Sequence, residues 1–200
     1  MDEGQEVLSS TSTSVNASPI PSSVRKEDAV ALLHDHEFFL LCDPHHLSHK
    51  TLPQPPETEK EPASVDAARK HFKLPEALEP VVEPAGPVVK VYEVVDDLPN
   101  PVWSSHVVSR EEFVDHDEGT WVRIRSPMGV VMETQWSVRE KNGVLELVED
   151  VVINCSRLVM GIVKGQVENN WRGIHKQIID KLVADAAGAG DKAAGSAPAE

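Results

Sequence analysis

Cysteine is scarce: Cys42 and Cys155 are the only two in the chain. Two thiols in a chain of this size make no disulfide framework, and both sit among apolar neighbours, where a reduced cysteine behaves as a small hydrophobe. Basic clusters are missing too. The balance of 19 Lys and Arg against 33 Asp and Glu gives a net charge of −14, which repels nucleic acid and anionic membrane at long range. No apolar run approaches the roughly 20 residues needed to cross a bilayer. The N-terminal stretch MDEGQEVLSSTSTSVNASPIPSS lacks the basic start and apolar run of a secretory signal, and the arginines of a mitochondrial presequence. Neither a glycine-rich phosphate loop nor a nucleophile elbow is present, GIVKG having the wrong spacing. These absences predict a soluble cytoplasmic protein with no nucleic-acid partner, no transmembrane segment and no cofactor.

What remains suits one domain with tails, since 200 residues with 40% hydrophobic content supply one core. Residues 1–23 are Ser/Thr-rich and read as a disordered tail, too poor in apolar surface to offset the entropy of ordering. Residues 184–200 read as a disordered Ala/Gly-rich tail. Between them, 24–183 form the domain, interrupted at 53–87 by an insertion with eight prolines. Within it, ASVDAARKHFKL can form a short helix capped by Ser64 or Asp66 and ended by Pro75; the rest is extended loop.

From Val88 onward β-branched segments alternate with short turns: VVKVYEVV, SSHVVSREEFVDH, GTWVRIRS, a turn at PMG, VVMETQWSVRE, a turn at KNG, then VLELVEDVVINC. That is the pattern of an antiparallel meander. Period-2 reading puts Val130, Met132, Thr134, Trp136 and Val138 on one mostly apolar face, with Val122 and Ile124, and Leu145, Leu147, Val151 and Ile153, on the strands beside it. The opposite face carries Trp121, Arg123, Arg125, Glu133, Glu146 and Asp150 and is expected to be wet, the arginines pairing across strands with Glu133 or Glu146. The period then changes. Val159, Val163, Val167, Trp171, Ile174, Ile178 and Leu182 form one stripe of a helix over Ser156 to Val183, which Ser156 can cap. Gly161, Gly165 and Gly173 suggest close packing of that helix on the sheet, or room between them.

The stretch HDHEFFLLCDPHHLSHK holds five of the nine histidines. Read as a strand over Leu33 to Cys42, it puts His34 and His36 on one face, where they could share a metal with His45, His46 or His49. It has no CxxC pair, and its one HxxxH pair, His45 and His49, lies beyond that strand with no cysteine pair to complete a structural zinc site; no metal is expected. Asp43-Pro44 has the form of a helix start, Asp as N-cap and Pro at the first position. A thiolate nucleophile at Cys42 would need an electropositive site, whereas FFLLC argues for burial. The acidic pairs Asp96-Asp97 and Glu111-Glu112 read as solvated residues at turns or on the wet face.

HDHEFFLLCDP as first strand and turn, VVKVYEVV to VVINC as meander, and SRLVMGIVKGQVENNWRGIHKQIIDKL as last helix together resemble the START-like (SRPBCC, Bet v 1-like) superfamily. ALLHDHEFFLLCDPHHL with the C-terminal segment resembles, more narrowly, an uncharacterised fungal family of such domains. The resemblance implies an α+β helix-grip fold, a curved antiparallel sheet of six or seven strands wrapped around a long C-terminal helix, with a cavity between. The superfamily has no universal catalytic motif, so no catalytic residue is carried over. The expectation is non-enzymatic binding of an apolar small molecule or lipid, walled by Val122, Ile124, Met132, Trp136, Leu147, Val163, Val167 and Trp171. A cyclase or hydratase would need a polar residue inside the cavity, for which His36, His106, Thr134 and Glu149 are the candidates. A third possibility is an interaction module with a filled core.

Overall fold

The computed structural model describes residues 9–53, 65–82, 86–97 and 106–194, the side chains through 188. The elements are β1 (Ser9–Pro19), α1 (Lys26–Leu33), α2 (His36–Leu41), β2 (His46–Leu52), α3 (Val65–Phe72), β3 (Lys90–Asp97), β4 (His106–His116), β5 (Gly119–Ser126), β6 (Val130–Lys141), β7 (Val144–Ser156) and α4 (Arg157–Ala194). The seven strands form one antiparallel sheet in the order β1-β7-β6-β5-β4-β3-β2. The long helix α4 packs on one face of it. The α+β helix-grip expectation holds, with seven strands.

The meander and its turns follow the sequence pattern. Lys141 pairs with Val144 across Asn142-Gly143, and both turn residues have positive φ (53° and 78°), as a two-residue hairpin turn demands. The β5–β6 connection is a 3-10 turn at Pro127–Gly129.

The N-terminal half departs from expectation. Ser9–Pro19, read as part of a disordered tail, is an edge strand paired over its whole length with β7, from Ser9↔Ser156 to Pro19↔Glu146. Apolar content did not reveal it, because its order comes from backbone pairing. Ile20 and Val24 then anchor the chain in the core. HDHEFFLLC is no strand. Asp35 caps α2, its carboxylate accepting from the Phe38 N–H at 3.1 Å, and α1 and α2 pack as two short helices on the inner face. Asp43-Pro44 starts no helix; the Asp43 side chain accepts from the His45 N–H at 2.7 Å, a turn that leads into β2. The first eight residues lie outside the described ones.

The outer face is not wet along its length. In the proline-rich segment the expected helix forms as α3, and Ala68, Phe72, Leu74 and Leu78 cover Val91, Val114 and Trp121. Residues 54–64, including Ser64, and 83–85 lie outside the described ones. Arg123 ties this cover down. It donates to the carbonyls of Phe72 (2.5 Å) and Lys73 (3.0 Å) at the end of α3, pairs with Glu133 at 2.7 Å, and lies over the Trp121 ring. The Arg123–Glu133 pair is the cross-strand one anticipated; Arg125 instead reaches Glu112 at 3.3 Å.

Helix α4 continues to Ala194, past the expected end at Val183, so residues 184–194 are helical; 195–200 lie outside the described ones. Its glycines do not mark close packing. A Cβ added at Gly161, Gly165 or Gly173 would meet nothing within 4 Å. Gly173→Ala is therefore expected to stabilise the protein by about 0.5–1 kcal/mol. Gly119 is the opposite case: a Cβ there would stand 2.2 Å from the Trp136 carbonyl oxygen. Gly119→Ala is expected to cost about 2 kcal/mol or more, because backbone must move. Urea denaturation of both variants checks the pair, and equal midpoints would refute it.

Candidate ligand cavity

The inner face is packed at one end and open in the middle. At the packed end α1, α2 and the C-terminal part of α4, through Leu33, Leu40, Ile178 and Leu182, bury Phe113, Val122, Trp136, Val138 and Leu147. At the other end Val159 closes on Val151, Ile153 and Cys155. Between these contacts lies a cavity of about 250 Å³. The sheet contributes Val107, Ser109, Glu111, Ile124, Val130, Met132 and Glu149, and the helix contributes Val163, Gln166, Val167, Asn170, Trp171 and Ile174. Asp43, Asp96 and the Ser126–Met128 turn complete the wall. Met128 and Ile162 line it and are also exposed, as is Leu158 beside them at 89%.

Of the eight residues expected to form the wall, Ile124, Met132, Val163, Val167 and Trp171 line this cavity. Val122, Trp136 and Leu147 share the correct face but belong to the packed end. Trp136 donates its Nε1–H to the Thr134 hydroxyl at 3.1 Å and meets Phe39 edge-on, so Thr134 is committed to that tryptophan.

The histidines have structural partners. His34 ends α1 and its Nε2 lies 2.8 Å from the Gly119 carbonyl oxygen. His36 is buried in α2, its Nε2 2.9 Å from an Asp115 oxygen and its Nδ1 3.3 Å from the Tyr92 hydroxyl, which ties α2 to the sheet away from the cavity wall. His49 pairs with Glu37 at 2.6 Å and contacts His46 at 3.0 Å. His106 is exposed on β4, 3.8 Å from Asp97. Among the described residues no three His, Cys, Asp or Glu side chains are grouped to hold a metal ion. Cys42 is fully buried, and burial, with Asp43 nearby, pushes its thiol up to about 12; the nucleophile reading requires the reverse.

Of the polar residues expected inside the cavity, Glu149 lines it, and two carboxyl groups read as solvated join it there. Glu111 and Asp96 do not sit on a solvated face: both line the cavity. Strand parity explains this, because Glu111 lies with Ser109 and Phe113 on the inner side while Glu112 faces outward with Arg123 and Arg125. Burial pushes the Glu111 carboxyl up to about 8, helped by Asp96 and Asp43; the Ser109 hydroxyl at 3.4 Å opposes weakly. Burial raises Glu149 to about 7 against one hydrogen bond from Asn16 of β1 at 2.8 Å. It raises Asp96 to about 6, Asp43 adding to the effect and His45 opposing it. Period-2 counting from Phe113 would have placed Glu111 inside; its charge argued against doing so.

His175 also went unnoticed. It is buried between the Trp136 and Trp171 rings, both at 5.2 Å, with Nδ1 2.9 Å from the Ser18 hydroxyl, and burial lowers it to about 4. Its spacing of four from Trp171 was the available signal.

A pH dependence follows. An acid whose pKa is higher in the folded chain keeps its proton there; that stabilisation is complete below the unfolded value and is lost as pH rises through the folded one. For Glu111 the window runs from 4.5 to about 8, and for Glu149 from 4.5 to about 7. His175 acts only below its ordinary value of 6.5, with opposite sign. Stability is thus expected to fall by about 1–2 kcal/mol between pH 6.5 and 8.5, and Glu111→Gln to flatten that slope. Urea midpoints across this range measure it; an unchanged slope in the variant would show that Glu111 ionises as freely as an exposed carboxylate.

Comparison with known proteins agrees with the architecture. The model of a family described as Domain of unknown function (DUF7053) matches residues 9–184, and the chain belongs to that family. No curated protein matches. Among solved structures, TTHA0849 from Thermus thermophilus is similar at 14% identity and a TM-score of 0.52, covering 88% of this chain and 99% of that one. The di-domain aromatase/cyclase (ARO/CYC) StfQ of the steffimycin biosynthetic pathway is similar at 8% identity and a TM-score of 0.58, over 88% of this chain and 52% of that one. The Zhui aromatase/cyclase from Streptomyces sp. R1128 is similar at 10% identity and a TM-score of 0.51, over 86% and 94%. At such identities the likeness is one of fold, and it agrees with the helix-grip architecture of a seven-stranded antiparallel sheet and a long C-terminal helix.

Proposed function

We propose that this member of the DUF7053 family binds an apolar small molecule or lipid, without chemical conversion, between the inner sheet face and α4. The observation that carries this reading is the cavity itself: about 250 Å³, walled mainly by aliphatic side chains, Met132 and Trp171, with a few polar groups among them. Such a composition suits a binding pocket, where apolar area supplies affinity and a small number of polar groups supply orientation. Met132 is an adaptable wall. The exposed Met128, Leu158 and Ile162 give an apolar ligand a surface to meet on entry. An interaction module with a filled core fits this arrangement poorly.

One observation favours a second reading, an enzyme of cyclase or hydratase type. Glu111 and Glu149 titrate near neutral pH inside an apolar space, as groups that donate and accept protons in catalysis do. His36, His106 and Thr134 are poor candidates beside them, since none lines the cavity.

Native mass spectrometry of protein purified from its own host is the test, followed by denaturing release of bound compounds. A stoichiometric apolar adduct is expected, and Val163→Trp, which fills the cavity, is expected to abolish it while the fold survives. A protein that arrives empty and takes up nothing from a lipid and sterol panel would defeat the binding reading. An adduct released in chemically altered form would favour the enzyme.

A further inference from the structure

The cavity wall has an unusual charge balance. Asp43, Asp96, Glu111 and Glu149 line it, and no Lys, Arg or His does so among the described residues. The nearest arginines are on the wrong side. Arg110, Arg123 and Arg125 gather around Glu112 on the outer face, one residue and one side of the sheet away from Glu111. The four carboxyl groups are not equally served. Asp43 is held in its turn by the His45 N–H, Asp96 has His46 at 3.9 Å, and Glu149 accepts from Asn16. Glu111 is 7% exposed and has the Ser109 hydroxyl at 3.4 Å, a long and weak contact. From α4 the cavity receives only neutral polar groups, Gln166 and Asn170.

A buried carboxyl without a cation escapes the desolvation cost of its charge only by keeping its proton, and a ligand that brings a cation draws it into the ionised, paired form. An anionic head group would meet four acids. A bare metal ion would need several oxygen ligands at about 2.0–2.6 Å, and no three acidic or histidine side chains are so grouped among the described residues. An organic cation on a hydrocarbon body satisfies both the apolar wall and the acid. We propose that the cavity selects an apolar ligand carrying a protonated amine, with its nitrogen against Glu111 and its hydrocarbon against Met132, Val163 and Trp171. This rests on the binding function proposed above and adds the ligand's chemical class.

Three probes of equal chain length separate the alternatives: decylamine, 1-decanol and decanoate. Each is titrated calorimetrically below its micellar concentration or, for 1-decanol, its solubility limit, at pH 7 and physiological salt, so that the overall charge of −14 is largely screened. Decylamine is expected to bind one to one, at least tenfold more tightly than 1-decanol, with decanoate weaker still. Glu111→Gln should reduce decylamine affinity at least tenfold and change 1-decanol less than threefold. The exposed-site control Glu140→Gln should change neither, and Val163→Trp should remove both. Equal affinity for decylamine and 1-decanol overturns the amine proposal and leaves cavity binding standing, as does an amine preference that survives Glu111→Gln. Should none of the three bind, both proposals fall. The ranking on the unaltered protein decides the matter even where a variant does not fold.

Discussion

Helix α4 is fixed to the inner sheet face at two places and held away between them. Ile178 and Leu182 bury themselves with α1, α2 and the β4–β7 core, and Val159 does the same over Val151, Ile153 and Cys155. Val163, Val167, Trp171 and Ile174, on the same stripe, are only half-buried because they face the cavity. A rigid helix of 38 residues pinned at two points cannot sag to fill the space between them. The void therefore follows from where the anchors lie, and its walls inherit the apolar character of a core that was never closed. Burial of Glu111 and Glu149 in the same space follows from the same geometry.

The sheet is covered on both sides, by different means. On the inner side α1, α2 and α4 supply apolar stripes. On the outer side a short helix and the turn after it do the work, and their backbone carbonyls are held by a buried arginine. Arg123 receives no free stabilisation from its ion pairs, since burying charge is costly unless it is matched. Glu112, Glu133 and two carbonyl oxygens match it, so α3 is fastened to β5 in one geometry.

The parts of this fold that sequence made legible are those where side chains carry the signal. Alternation identified β3 to β7 and assigned inner and outer faces to β5, β6 and β7, and spacing of three and four identified α4, because in both a buried row must repeat with the backbone's own period. Five of eight expected wall residues line the cavity on that basis. The failures share a cause. β1 is held by a ladder with β7 that leaves no apolar trace in SSTSTSVNASP. HEFFLL is too short for its period to separate helix from strand. Trp121 and Arg123 were assigned to the correct face and the wrong environment, because the cover arrives from a proline-rich segment. Glu111 was dismissed for its charge, although its parity with Phe113 was plain.

The pairing of β1 with β7 also shapes how the chain assembles. Thr11 and Asn154, joined by a side-chain hydrogen bond at 2.7 Å, are 143 residues apart, so the first strand of the sheet to be made is completed only by the last. Contacts so distant in sequence are slow to form, since the loop must close before they repay its entropy. During synthesis β1 waits, unpaired, until β7 has emerged. An apolar strand left waiting would offer its edge to other chains. A strand of serine and threonine, hydrated while alone, can wait without harm, and its modest composition is a form of patience in a segment made so long before its partner.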